Sequence, residues 1–130
     1  MVSIDLRHPD LRLRDIRRIL TRQPRIDWES GTTADTEWVY VSLEDVAHRQ
    51  LLLDWLASKD IADSAEALLL FDGHYESESI TWGELRLYPE RFFGARQIRI
   101  VSKVLNWRLD YRQRCVARFG RWKSSRGAAI

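Results

Sequence analysis

Residues 97–119, QIRIVSKVLNWRLDYRQRCVARF, decide the fold that the sequence predicts. Apolar and polar side chains alternate there in three runs, which begin near Ile98, Trp107 and Cys115. A period of two places alternate side chains on opposite faces of a sheet, and β-branched and aromatic residues suit such a half-buried surface. We therefore predict three strands, or one strand followed by a long hairpin, with an apolar core face and a basic outer face.

A long helix is the competing interpretation of the same residues. Apolar side chains also follow the 3.6-residue period of a helix. They are Ile98, Val101, Leu105, Leu109, Val116 and Phe119. Arg112 interrupts this stripe, which favours strands, but the sequence leaves open whether residues 96–119 are strands or a long helix.

Two helices are predicted before this stretch. The first begins at an N-cap residue, Asp10, and extends to about Arg22. The second begins at Ser42, which forms a capping-box pattern with Asp45, and ends near Lys59. Shorter apolar runs bounded by turn residues predict further strands. These strands cover residues 2–6, 25–29, 38–41, 67–71, 80–82 and 84–88, with Gly83 marking a bulge or a close backbone approach.

The sum of these elements is an α+β fold with a mostly antiparallel sheet of about five to seven strands. We expect the two main helices to pack on one face of the sheet. A short helical turn at 89–95 should place Phe92 and Phe93 in the core. The chain is predicted to form a single domain over residues 1–122, followed by a flexible C-terminal tail at 123–130.

Charge is unevenly distributed along the 130 residues. Residues 27–90 carry three basic and fifteen acidic side chains, a net charge of −12, whereas residues 1–26 carry +4 and residues 91–130 carry +10. These segments either neutralise one another in the fold or form two faces of opposite sign, each able to steer a charged partner. The six Trp residues are an unusually high number, and Trp is enriched at binding hot spots.

No motif in the sequence points to catalysis, a cofactor or a metal. The glycines form neither a dinucleotide fingerprint nor a P-loop. His48 is interpreted as a structural histidine, and His74, beside Asp72 and Glu76, has no second His or Cys at ligand spacing. Cys115 is expected to be an inert thiol on the core face of its strand. We expect no catalytic residue, metal or cofactor, and a small hydrolase centred on His74 is the least favoured hypothesis.

The sequence also bears on location. No apolar run is long enough for a signal peptide or a membrane span. The single cysteine cannot form an intrachain disulfide. We expect a cytoplasmic protein without membrane contact, and the oligomeric state stays open.

The acidic segment 72–84, DGHYESESITWGE, is the predicted partner-binding surface. Its predicted binding residues are Asp72, His74, Tyr75, Glu76, Glu78, Trp82 and Glu84. Aromatic anchors rimmed by carboxylates suit a strongly basic protein partner and a fast, salt-dependent association. The polar loop 30–37, SGTTADTE, is expected to assist.

In its architecture, the second half of the chain resembles bacterial toxin-immunity proteins, in particular those of contact-dependent inhibition and related polymorphic toxin systems. The segments that carry the resemblance are DGHYESESITW (72–82), IRIVS (98–102), NWRLDY (106–111) and CVARFG (115–120). The resemblance implies a non-catalytic protein that binds and neutralises a cognate toxin, with a nuclease as one candidate target. It assigns no role to individual residues.

Nucleic-acid binding is the alternative function. In the C-terminal strands, residues 96–122, Arg108 and Arg112 are interleaved with Trp107 and Tyr111. A sheet that carries both kinds of side chain can stack bases and hold phosphates. This alternative predicts binding to RNA or DNA that weakens steeply with salt.

Overall fold

Seven strands in one antiparallel sheet, with three α-helices packed against it, make up the described part of the chain. The computed structural model describes residues 12–21, 25–33, 35–71, 77–93, 96–112 and 115–122. The strands are β1 (Ile26–Trp28), β2 (Val39–Tyr40), β3 (Glu66–Phe71), β4 (Ser77–Thr81), β5 (Ile98–Ser102), β6 (Trp107–Arg112) and β7 (Val116–Trp122). The helices are α1 (Leu13–Thr21), α2 (Val46–Ala57) and α3 (Trp82–Leu87), and a 3₁₀ turn spans Pro89–Arg91. The predicted α+β class is confirmed.

Some predictions fall outside the described residues. They are the strand at 2–6, the N-cap Asp10, the helix end at Arg22 and the tail at 123–130.

The strands lie in the order β1-β7-β6-β5-β3-β4, and β2 also pairs with β7. β1 pairs with residues 120–122 and β2 with residues 116–117, so the two short strands share the outer edge of β7. The segment between them leaves the sheet opposite Arg118. This arrangement brings residues from the N-terminal third of the chain beside the C-terminal strands.

The three closing strands form as predicted, and the long-helix alternative is wrong. Ile100, Leu109 and Phe119 lie side by side on one face of β5, β6 and β7 and are buried. Their strand neighbours point to the opposite face, where Val101 is also buried. Both faces of β5 are therefore covered.

The helices cover opposite faces of the sheet, not one face as predicted. Leu52 and Leu56 of α2 belong to the main core cluster, which also contains Leu69 of β3. On the other face, Ile16 of α1 packs with a smaller cluster that contains Leu68, Leu70 and Val101. The reason lies in the sequence of β3, because its apolar run ALLLF leaves an aliphatic surface to be covered on each side.

Helix α2 begins three residues later than predicted. Asp45 is the N-cap, and its Oδ1 accepts a hydrogen bond of 2.8 Å from the backbone N–H of His48. This hydrogen bond holds the pKa of Asp45 below its usual range. Val46 and Leu51 of this helix are 86% and 65% exposed, whereas Leu52 is buried.

Helix α3 replaces the strand that was predicted over residues 84–88. Thr81 is its N-cap, with Oγ1 3.2 Å from the backbone nitrogen of Glu84, and the Glu84 side chain reaches back to Thr81 at 3.4 Å. The sequence TWGE matches the capping-box pattern T-x-x-E, with the Glu84 carboxylate accepting from the Thr81 hydroxyl instead of the Thr81 backbone N–H. Gly83 fits the predicted close approach, because a Cβ there would lie 3.0 Å from the Asp63 carbonyl oxygen.

The turn after α3 follows the prediction. Phe92 and Phe93 are buried in the main cluster, and the Phe93 ring meets the Tyr111 ring edge-on at 5.3 Å between centroids. The strand predicted at 67–71 is also present and buried. It lies between β5 and the edge strand β4.

Because Trp82 is 1% exposed and packs edge-on against Trp107 and Phe119, we expect Trp82→Ala to lower the free energy of unfolding by about 3–5 kcal/mol. Denaturant unfolding measures this change. Tyr88→Ala, which removes an exposed aromatic ring just after the same helix, is the matched control and should cost less than about 0.5 kcal/mol. Equal losses in the two variants would contradict the core position of Trp82.

Candidate functional site: an arginine and tryptophan face on the sheet

The predicted acidic surface is only partly described, and one of its anchors is buried. Trp82 begins α3 and points into the core, so it cannot serve as a surface anchor for a partner. Glu78 on β4 and Glu84 on α3 both lie beside Arg91, at 3.4 and 3.8 Å. Four further predicted residues lie outside the described residues: Asp72, His74, Tyr75 and Glu76. Arg91 therefore offsets part of the negative charge in the described part of this segment.

The polar loop 30–37 folds back on itself. The backbone N–H of Gly31 donates to the carbonyl of Thr36 at 2.6 Å, and that of Thr32 donates to Trp38 at 3.0 Å. A Cβ at Gly31 would lie 2.2 Å from the Trp38 carbonyl oxygen, so the turn requires glycine. The turn delivers Glu37 and Trp38 to the sheet opposite Arg118.

Three aromatic side chains of the closing strands are not available for stacking on bases, whereas Trp122 at the end of β7 is half-buried and lies on the arginine side. Trp107, Tyr111 and Phe119 are all buried on the core face. Arg108 and Arg112 alternate with them and point to the opposite face, as the period of β6 requires. The nucleic-acid prediction thus keeps its arginines and Trp122 but loses Trp107, Tyr111 and Phe119.

Other aromatic residues take their place on the arginine side. We call this surface the Arg–Trp face, and it consists of Trp28, Trp38, Tyr40, Arg108, Asp110, Arg112 and Arg118. The strand register explains how they meet: Tyr40, Val116 and Arg112 form one row across three strands. The alternation in the closing strands predicted that the arginines lie on the outer face. It did not predict that Trp28, Trp38 and Tyr40 belong to the same site.

Guanidinium groups and indole rings alternate along the Arg–Trp face. The Arg112 guanidinium carbon lies 4.4 Å from the Trp38 ring centroid, and that of Arg118 lies 4.7 Å from it. Arg118 is also 3.8 Å from the Trp28 ring, and Arg108 is 5.7 Å from the same ring. Cation–π attraction therefore connects five side chains from β1, β6, β7 and the segment before β2.

Asp110 fixes two of these arginines. Its Oδ1 accepts from Nε of Arg108 at 2.7 Å, and its Oδ2 accepts from Nη2 of Arg108 and Nε of Arg118, each at 3.0 Å. Glu37 pairs with the remaining Nη1 of Arg118. Asp110 is only 7% exposed, and such a buried carboxylate is tolerated because it is paired and hydrogen-bonded. Arg112, by contrast, is exposed and has no ion pair with any described residue.

The Arg–Trp face carries a surplus of positive charge. Its three arginines exceed the two carboxylates of Asp110 and Glu37, and Arg99 of β5 lies directly beside Asp110. Helix α1 covers the aliphatic half of this side of the sheet, over β3 and β5. No helix in the described ranges covers the half that carries the arginines.

A pocket of about 450 Å³ adjoins the face next to α1. Its walls come from the end of α1, from β1 and from the Arg–Trp face. The lining residues are Leu20, Arg25, Ile26, Trp28, Glu37, Arg108, Arg118 and Trp122.

Two further reactive side chains, His48 and Cys115, lie in the described ranges. Among the described residues, no three His, Cys, Asp or Glu side chains converge as metal ligands. His48 packs edge-on against Tyr40 at 6.0 Å between ring centroids, and its Nδ1 lies 3.0 Å from Asp45. Cys115 lies in the turn before β7 with a φ of 59°, partly exposed, and not on the core face of a strand as predicted.

None of the helices in the described ranges is long and apolar enough to span a membrane. Comparisons with protein-family models, with curated proteins and with solved structures found no match to this chain.

Because Asp110 is the shared partner of Arg108 and Arg118, we expect Asp110→Ala to lower the free energy of unfolding by about 3 kcal/mol. The loss arises because the half-buried guanidinium group of Arg108 then lacks its carboxylate and that of Arg118 keeps only Glu37. Asp63→Ala is the matched control, since it breaks an exposed pair with Arg86 that is worth no more than about 1 kcal/mol. Urea unfolding measures the free energy of unfolding of both variants. If Asp110→Ala lowered it no more than Asp63→Ala does, Asp110 would not be the stabilising partner of the two arginines.

Proposed function

We propose that this chain is a non-catalytic interaction protein that neutralises a partner protein by binding to it, as its resemblance to bacterial toxin-immunity proteins implies. We place the binding surface on the Arg–Trp face. The observation that carries the proposal is the make-up of this face: it presents Trp, Tyr and Arg, the three side chains most enriched at protein-binding hot spots. Tyr40 is 53% exposed at its edge, and Arg112 is exposed in the same row.

The charge of the Arg–Trp face favours an acidic surface on the partner. This reverses the sign expected from the acidic segment, whose described members Glu78 and Glu84 lie beside Arg91. Charge complementarity of this kind accelerates association and makes it sensitive to salt. A cognate toxin with an acidic patch next to its active site is the kind of partner that fits.

Two features favour a protein over a nucleic acid. The Trp28 and Trp38 rings already have guanidinium groups stacked on them, which leaves less ring surface for bases. In addition, Asp110 and Glu37 occupy donors of Arg108 and Arg118 that would otherwise bind phosphates, and they add negative charge to the face. Nucleic-acid binding therefore ranks second. We further propose a cytoplasmic location, where a neutralising protein of this class would meet a toxin that has entered the cell.

A pull-down of the tagged chain from its native lysate, with and without nuclease treatment, tests the proposal. We expect one stoichiometric protein partner that survives nuclease treatment. Arg112→Ala should weaken its binding by about 2 kcal/mol, roughly 30-fold, because a hot-spot side chain is lost. The measurement is the dissociation constant of the captured partner, at two salt concentrations.

Arg86→Ala on α3 is the matched control, because it removes an equally charged, partly exposed side chain on the opposite side of the sheet. Its binding should equal that of the unaltered chain. Recovery of nucleic acid without a protein partner would favour the second-ranked function. A captured partner that binds Arg112→Ala and Arg86→Ala equally well would remove the Arg–Trp face from the proposal.

A further inference from the structure

We propose that the pocket beside α1 receives a carboxylate side chain of the partner, an inference that rests on the proposed function and names the chemistry of the contact. Of the eight lining residues, three are arginines and one is a glutamate. The pocket therefore has a net positive lining at the edge of a surface that already favours an acidic partner.

Two of the three arginines have a guanidinium nitrogen that contacts no carboxylate of the described residues. In Arg118, by contrast, all three nitrogens already contact Asp110 or Glu37. Arg108 uses Nε and Nη2 on Asp110, and its Nη1 makes no hydrogen bond to a described residue. Arg25, just before β1, is exposed and has no ion pair within the described ranges. The donors available to a ligand are thus the Arg25 guanidinium and Nη1 of Arg108.

The other walls suit the aliphatic stem of an acidic side chain. Leu20 and Ile26 are half-buried, and Trp28 and Trp122 supply two indole rings. These residues can pack against the methylene groups of an acidic side chain that enters the pocket. An acidic residue that enters with its stem against the indoles can present its carboxylate to both arginines.

Glu37 limits the negative charge that a ligand in the pocket can carry. Its carboxylate lines the pocket and is itself paired with Arg118. A doubly charged phosphate would meet more repulsion from Glu37 than a singly charged carboxylate does. The planar carboxylate also matches the fork of a guanidinium group. A carboxylate is therefore the favoured occupant.

The test is an NMR titration of the full chain, which needs no partner. The probe is N-acetylglutamate N-methylamide, and N-acetylglutamine N-methylamide is a neutral probe of the same shape. We follow the indole N–H signals of Trp28 and Trp122, assigned by Trp→Phe substitution. The glutamate probe should shift both signals along a saturating curve, and the glutamine probe should leave them in place.

Variants at Arg25 test the donors. Arg25→Gln should weaken binding of the glutamate probe at least about tenfold, since a charge-assisted hydrogen bond is lost, and Arg25→Lys should restore part of it. Arg18→Gln, which neutralises an exposed arginine of α1, is the matched control and should have no effect. Three outcomes would overturn the proposal. The neutral probe could shift the indole signals as much as the glutamate probe does, the Trp28 and Trp122 signals could stay in place with both probes, or Arg25→Gln could bind the glutamate probe as tightly as the unaltered chain.

Inorganic phosphate forms a separate arm of the titration. Tighter binding of phosphate than of the glutamate probe would overturn the carboxylate assignment. The titration and the pull-down test the two proposals independently. A captured partner without probe binding would refute only the carboxylate pocket. Probe binding without any protein partner removes the proposed function and leaves a carboxylate site.

Discussion

The buried carboxylate of Asp110 is the interaction on which the arginine-bearing half of the sheet depends, the half that no helix of the described ranges covers. A carboxylate on a central strand is costly to bury, and here two guanidinium groups offset that cost. Once Asp110 fixes Arg108 and Arg118, the planar faces of the two guanidinium groups become supports for Trp28 and Trp38. The indoles in turn help to hold β1 and the segment before β2 against β7. A cluster of charges and rings thus occupies the position that a second helix would take on this side of the sheet.

The two halves of this side of the sheet are shielded from solvent in different ways. Over β3 and β5, Leu68, Leu70 and Val101 form an aliphatic surface, and α1 covers it. Over β6 and β7, polar side chains stand at the equivalent positions, where no apolar helix face would be stabilised. A face that is structurally complete and yet carries exposed Arg112 and Tyr40 has the properties of a binding surface.

The sequence predicted the features that follow a continued local pattern, and it failed where a pattern was too short to establish a period or where distant segments had to be paired. The closing strands were readable because a period of two continues through each of them. Helix α3 was missed, although Thr81 and Glu84 carry a capping signature, because its six residues are too few to establish a helical period. The contribution of Trp28 and Trp38 depended on the pairing of β1 and β2 with β7. That register joins residues far apart in the chain, and composition or alternation does not reveal it.

The uneven charge of the chain is largely resolved by its fold. Glu37 pairs with Arg118, Glu66 with Lys103, and Glu78 with Arg91, so carboxylates of the acidic middle meet basic side chains of the C-terminal segment. Local neutralisation, the less specific of the two interpretations of the sequence, therefore describes these pairs. Among the described residues, neither Arg25 nor Arg112 has a carboxylate partner; Arg112 belongs to the Arg–Trp face, and Arg25 lines the adjoining pocket. Under the proposed function, these two charges are the part of the charge pattern that a partner would meet.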